Sequence, residues 1–139
     1  MKLPEIFIAL KVRTVLSKVP EYSALVNKYC HAVTFLTIYI REAHPNDGEW
    51  PKDVYHQIPM HKQLSERIEA AKLLQENGLA GNLVVDTMED LACIKYGALP
   101  ERLCLLNPDG KVCFMSQMGP WGYSLSELEN AVIKMCEKH

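Results

Sequence analysis

The chain has 139 residues, 48% of them apolar and 23% charged, and a net charge of −2. That length suits one domain and buries about two-thirds of the unfolded surface without disulfide staples. Dispersed charges near neutrality exclude an electrostatic footprint for nucleic acid or an anionic membrane.

In chain order, Ile6 to Leu10 is a short apolar run that suits a buried strand, too short for periodicity to decide. From Ser17 to about Cys30, Val19, Tyr22, Leu25, Val26 and Tyr29 recur at three- and four-residue steps. They predict a helix with one buried face, Ser17 as its cap and Pro20 in its first turn. Residues 33–40 are β-branched and aromatic, which predicts a strand covered on both faces. Residues 41–60 hold Pro45, Asn46-Asp47-Gly48, Pro51 and Pro59, the composition of a long loop, and such loops are usually functional.

A helix is expected from about His61 to Glu76, with Leu64, Ile68, Ala71 and Leu74 inward and Gly78 ending it. Residues 82–86 predict a short buried strand, and Met88 to Tyr96 a helix whose Leu91 and Ile94 face the core. Arg102 to Leu106, the turn Asn107-Pro-Asp-Gly110 and the return over 111–115 spell a hairpin. A second turn is expected at Gly119-Pro-Trp-Gly122. The final helix starts at the capping box Ser124 to Glu127 and buries Leu128, Val132 and Met135.

The five cysteines, Cys30, Cys93, Cys104, Cys113 and Cys136, form no C-x-x-C pair, and their odd number suits a reducing, cytoplasmic setting. Cys93, Cys104 and Cys113 have apolar neighbours and are expected in the core. No cysteines or histidines recur at zinc-ligand spacing, so no metal is expected. The apolar runs are far shorter than the roughly 20 residues of a membrane helix. Residues 1–16 lack a signal region and cleavage site, so the chain as given reads as soluble.

A strand–helix–strand unit followed by a hairpin and a last helix is the layout of thioredoxin-like α/β folds, a mixed central sheet flanked by helices. It requires 6–10 as the central strand. Pro100 stands where such proteins place a cis-proline, and an ordinary trans proline in a helix-to-strand loop fits the sequence equally well.

Five ordered motifs then bring a family into view. Tyr39-Ile-Arg-Glu-Ala-His-Pro-Asn-Asp-Gly48, with Trp50 one residue late, resembles the Y-I-x-E-A-H-x-S-D-G-W segment of the iodothyronine deiodinases. Ile58-Pro-Met-His61 with Glu66-Arg-Ile-Glu-Ala-Ala71 resembles that family's I-x-x-H…D-R-x-x-A-A stretch. Val84 to Met88, Ala98 to Leu103 and Gly119 to Tyr123 follow in family order, so the resemblance covers residues 15–137.

The resemblance implies a thioredoxin-like domain with a deiodinase-type loop insertion. It also implies reductive deiodination of thyroid hormones by a selenol or thiol at the head of the first helix. Family members carry a membrane anchor before a domain that faces the cytosol; they act as homodimers and use a thiol reductant, with no bound cofactor. Two departures stand out. Counting back from Pro20-Glu-Tyr22, the nucleophile position falls at or near Val12, and no cysteine precedes Cys30. Glu49 is inserted between Gly48 and Trp50.

By that resemblance the site residues are Glu42, His44 and His61, with Trp121 either stacking on a hormone ring or packing under the last loop. Glu42 and His44 lie two apart, so in extended backbone they project to one side, where a carboxylate orients an imidazole and raises its pKa. His61 would reach the same pocket across the loop. His56 is expected in solvent, and Arg67 to pair with an acid such as Asp86 or Glu66. The function implied is that of a single deiodinase domain, truncated relative to the family and inactive because the nucleophile is missing. Its alternatives are a non-catalytic hormone-binding or dimer-partner protein and a peroxiredoxin-like thiol enzyme.

Overall fold

The computed structural model describes residues 5–10 by their backbone and 18–42, 59–119 and 124–138 in full. Five strands form one sheet in the order β3-β2-β1-β4-β5. They are β1 (Glu5–Leu10), β2 (Thr34–Tyr39), β3 (Asn82–Val85), β4 (Arg102–Leu106) and β5 (Val112–Met115). The helices are α1 (Val19–Tyr29), α2 (Leu64–Glu76), α3 (Leu91–Tyr96) and α4 (Leu125–Cys136).

β1 fills the centre, as the layout required. It runs parallel to β2, from Glu5↔Thr34 to Leu10↔Tyr39, and antiparallel to β4, from Glu5↔Leu106 to Ala9↔Arg102. Leaving that slot empty would strand the inner N–H and C=O groups of both neighbours. β3 runs parallel to β2 at the sheet's edge, so Asn82 and Val84 are exposed and the expectation of a buried strand fails there.

The crossovers β1-α1-β2 and β2-α2-β3 step the same way and, being right-handed, put both helices on one face. α4 joins them. Val19, Tyr22 and Leu25 of α1, Leu74 of α2 and Leu128 and Val132 of α4 pack there on Phe35, Leu103 and Leu105 of the sheet. α1 begins at Val19 after Lys18, with Pro20 and Glu21 in its first turn; Ser17, expected as its cap, lies outside the described residues. At α4, Ser124 Oγ accepts the Glu127 N–H at 3.3 Å, the cap its sequence announced. In the hairpin, Asn107 Oδ1 takes the N–H groups of Asp109 and Lys111, and Gly110 supplies the positive φ of the turn.

Two helical faces differ from expectation. α2 turns Arg67, Ala70, Ala71 and Leu74 inward, leaving Leu64 and Ile68 exposed. A helix with apolar residues on two overlapping stripes has no single inward phase, and an ion pair made by Arg67 selects this one. On the opposite sheet face, α3 buries Cys93 against Ile38 and Ile40 and leaves Leu91 and Ile94 62% and 73% exposed. The cause is the Asp86 carboxylate, which accepts the N–H groups of Ala92 and Cys93 at 2.9 Å each and so rotates Cys93 inward.

Candidate functional site

The three parallel strands end together at Leu10, Tyr39 and Val85. Crevices outside the carboxyl ends of parallel strands are where open α/β sheets bind ligands. Here that end holds a cluster of buried polar side chains: Glu42, His61, Arg67 and Asp86 are all buried, and so is Tyr39.

Tyr39 is the hub. It is the last residue of β2, fully buried, and its Oη lies 3.4 Å from Glu42 Oε2 and 3.4 Å from His61 Nε2. The phenol has one proton and the carboxylate only accepts, so Tyr39 donates to Glu42 and its oxygen is left to receive Nε2–H of His61. The contacts are long for hydrogen bonds and mark a chain that can tighten rather than a locked one. The Tyr39 and His61 rings tilt at 55° with centroids 5.9 Å apart.

The electrostatics keep this chain uncharged at both phenol and imidazole. Burial, then the charge of Glu42 and its hydrogen bond, push the Tyr39 phenol far above its usual range, with Arg67 pulling the other way. Burial, then the Arg67 charge, hold His61 below its ordinary value, while Glu66 pulls it up.

Arg67 reaches from α2 to the loop before α3. Its Nη1 donates to the Thr87 carbonyl at 2.6 Å and the Asp86 carbonyl at 3.4 Å, and lies 3.1 Å from Asp90 Oδ1, close enough for an ion pair. The acidic partner is Asp90 and neither Asp86 nor Glu66 as expected: Asp86 spends its carboxylate on backbone N–H groups, and Glu66 Oε2 accepts the Lys62 N–H. Asp90 is held in left-handed backbone, φ 58°, and also meets Arg41 Nη1 at 3.7 Å.

At the same end of the sheet, Leu99–Pro100 is cis, which decides between the two readings of Pro100. Glu101 beyond it is fully buried, and its carbonyl accepts the Gly119 N–H at 3.0 Å. A Cβ at Gly119 would run into the Glu101 side chain, so any larger residue there would have to displace that buried carboxyl. Arg102 pins the same corner by donating to the carbonyls of Ser116, Tyr96 and Gly97.

Of the sequence-predicted site residues, Glu42 and His61 come together, through Tyr39 rather than directly. His44, Trp121, His56, Val12 and the inserted Glu49 lie outside the described residues, as does most of the loop. Sequence reasoning passed over Tyr39 as a strand residue, although a tyrosine closing a strand three residues before Glu42 was its signal. The thiols divide. Cys93 and Cys104 are buried, and burial pushes Cys104 up to about 11. Cys113 is exposed, against expectation, because the ladder slips between Leu105↔Phe114 and Leu106↔Val112 and leaves it as the extra residue of a bulge.

The sequence profile of the iodothyronine deiodinases matches residues 7–136. The chain belongs to the iodothyronine deiodinase family. It is 42% identical over 113 residues to the type I iodothyronine deiodinase of Xenopus laevis, which covers 81% of this chain and 44% of that protein. It is 40% identical over 113 residues to the thyroxine 5-deiodinase of Sus scrofa, covering 81% of this chain and 37% of that one. The chain thus spans less than half the length of these deiodinases.

Among solved structures, a conserved protein of uncharacterised role from Geobacillus kaustophilus superposes with a TM-score of 0.69 at 15% identity, over 99% of this chain and 69% of that one. A thioredoxin-like protein of Aeropyrum pernix gives 0.66 at 15% identity, over 94% and 76%. A secreted disulfide oxidoreductase of Mycobacterium tuberculosis gives 0.61 at 14%, over 95% and 81%. These establish the thioredoxin-like fold. No helix among the described residues is long and apolar enough to cross a membrane.

Proposed function

We propose that this chain is a single deiodinase-type domain that binds an iodothyronine at the carboxyl end of its parallel strands and, as it stands, does not turn it over. The buried chain His61–Tyr39–Glu42 carries the proposal. Reductive deiodination replaces a C–I bond by C–H: iodine leaves as iodide, and two thiols supply the electrons and become a disulfide. The proton that enters the ring must come from a group shielded from water, and an imidazole backed by a buried phenol and a carboxylate is built to pass one. His44 is assigned to the same pocket, and Trp121 to stacking on the hormone ring.

The missing element is the nucleophile. In the register of the family, Val12 occupies or adjoins its position, and an isopropyl group cannot attack iodine. Binding without turnover suits a domain that acts on hormone availability or as one half of a dimer, in a reducing cytosol.

Iodide release from thyroxine with excess dithiol, paired with equilibrium binding of thyroxine, tests this. The unaltered chain is expected to bind hormone and release no iodide above a no-protein control, and Val12→Cys to release iodide slowly. Release by the unaltered chain would overturn the loss of chemistry. Binding that is absent, or unaffected by Tyr39→Phe and His61→Gln, would overturn the assigned site.

A further inference from the structure

β5 is an outer strand of the sheet, and between it and α4 lies a cavity of about 590 Å³. Buried Leu105 and Met135 and half-buried Phe114 and Ala131 give it apolar walls. That volume falls in the range of small-molecule sites, which are mostly apolar with a few placed polar groups. On α4 the lining runs from Glu127 through Ala131 and Lys134 to Lys138, a stripe at helical spacing about 16 Å long. The groove is elongated, and its two ends carry opposite charge.

The cationic end lies beside the hairpin turn. β4 runs antiparallel to β1, from Ala9↔Arg102 to Glu5↔Leu106, so that turn stands at the opposite end of the sheet from the candidate site. Lys134 and Lys138 are exposed and have no ion-pair partner among the described residues. Glu137, their neighbour on the chain, does not line the groove. Two full charges outweigh the partial negative charge at the end of α4. Asn107, also in the lining, accepts the Asp109 and Lys111 N–H groups at its Oδ1, and among the described residues its amide NH2 is left for another partner.

We infer that this groove binds an unbranched aliphatic carboxylate, its chain along Leu105, Phe114 and Ala131 and its head group at Lys134 and Lys138. Charge sets the direction, because Glu127 at the far end repels a carboxylate and the lysines attract one. Shape sets the class, because a lining that is long and apolar on both the strand and the helix side is matched by a chain without branches.

The bulge in β5 supplies a reporter. It places the Cys113 thiol in the lining, where Sγ–H donates to the Leu105 carbonyl at 3.3 Å. Cys30 and Cys136 are the other exposed thiols, and neither lines the groove. An occupant therefore shields one exposed thiol and leaves two as controls.

The test is the rate at which N-ethylmaleimide labels each cysteine of the full chain, mapped by mass spectrometry, with dodecanoate below its micelle concentration as the probe. At about ten times its Kd, dodecanoate is expected to slow Cys113 about tenfold and to leave Cys30 and Cys136 unchanged. Dodecylamine, the same chain with a cationic head, should need about tenfold more for equal protection. Lys134→Glu combined with Lys138→Glu should weaken dodecanoate by a similar factor, and Ala131→Phe, which fills the apolar stretch, should abolish protection. Rates are compared with and without probe in each variant, so changes in the thiol's own reactivity cancel.

Equal slowing of all three thiols, or equal protection by dodecylamine and dodecanoate, means non-specific coating and overturns the inference. So does protection that survives the double lysine variant, or its absence at the solubility limit of dodecanoate. Slowing of Cys113 with rising chain concentration, and not with dodecanoate, gives the groove to a second copy instead. Both lysines are exposed, so their variant decides the matter if Ala131→Phe does not fold. No readout involves hormone, and the result stands apart from the proposed function.

Discussion

Two stretches of the three-helix layer are buried to the same degree and behave by different rules. In the middle, Leu74 of α2 and Leu128 of α4 pack apolar surface on the sheet, and Tyr22 meets its single polar need by receiving a bond from Thr37 at 3.3 Å. Two residues further along β2, Tyr39 takes the place of Thr37, and α2 offers Arg67 where it offered Leu74. The same strand and the same helix thus build a hydrophobic core and a polar site a few ångströms apart. Depth of burial does not tell them apart. What differs is whether polar atoms are absent or chained to one another, and a chain of partners can move a proton while a packed core cannot.

The comparison can be broken most forcefully at the core. Leu128→Ala removes a fully buried side chain at the centre of the apolar stretch and should cost about 2–5 kcal/mol of unfolding free energy in urea, by lost transfer energy plus a cavity. The end proposed to bind hormone should stay intact below the new midpoint of unfolding. Loss of hormone binding at full folding would show the two stretches to be one unit.

A smaller effect sharpens the polar side. Burial holds His61 below its ordinary value, so the unfolded chain binds the proton more readily than the folded one. That contribution to stability is complete above about pH 6.5, the unfolded value, and drains away as pH falls through the lower folded one. Tm should therefore drop on acidification across that window more steeply in the unaltered chain than in His61→Gln. Parallel slopes would mean that the ring is not desolvated.

The smallest effect is on the far face. Ile94→Ser on α3 exchanges an apolar side chain that is 73% exposed, and should change unfolding free energy by no more than about 0.5 kcal/mol. A loss above 1.5 kcal/mol in the isolated chain would show that α3 packs by the face its sequence suggested.

Much of the architecture was legible because it is written in neighbouring residues. Asn107 and Gly110 make the hairpin with atoms of their own turn, and Ser124 caps α4 from three residues before Glu127. The central place of β1 followed from the layout, since no other apolar run was free to fill it. Glu42 and His61 were legible through motifs shared with the deiodinases, although their meeting point at Tyr39 was not.

The rest depended on partners distant in the chain. The spacing of α2 favoured Leu64 and Ile68 beside Ala71 and Leu74, and the ion pair with Asp90 turned Arg67 and Ala70 inward in their place. The spacing of α3 favoured Leu91 and Ile94, and the Asp86 carboxylate turned Cys93 inward instead. Cys113 looked like core until a slipped ladder put it in solvent. The sequence by itself determined which segments are helix, strand and turn, because backbone conformation answers to residues a few positions away. Only the tertiary structure decided which side of each helix faces in and which buried polar groups meet, because a charge taken out of water must find its counter-charge wherever the fold brings one.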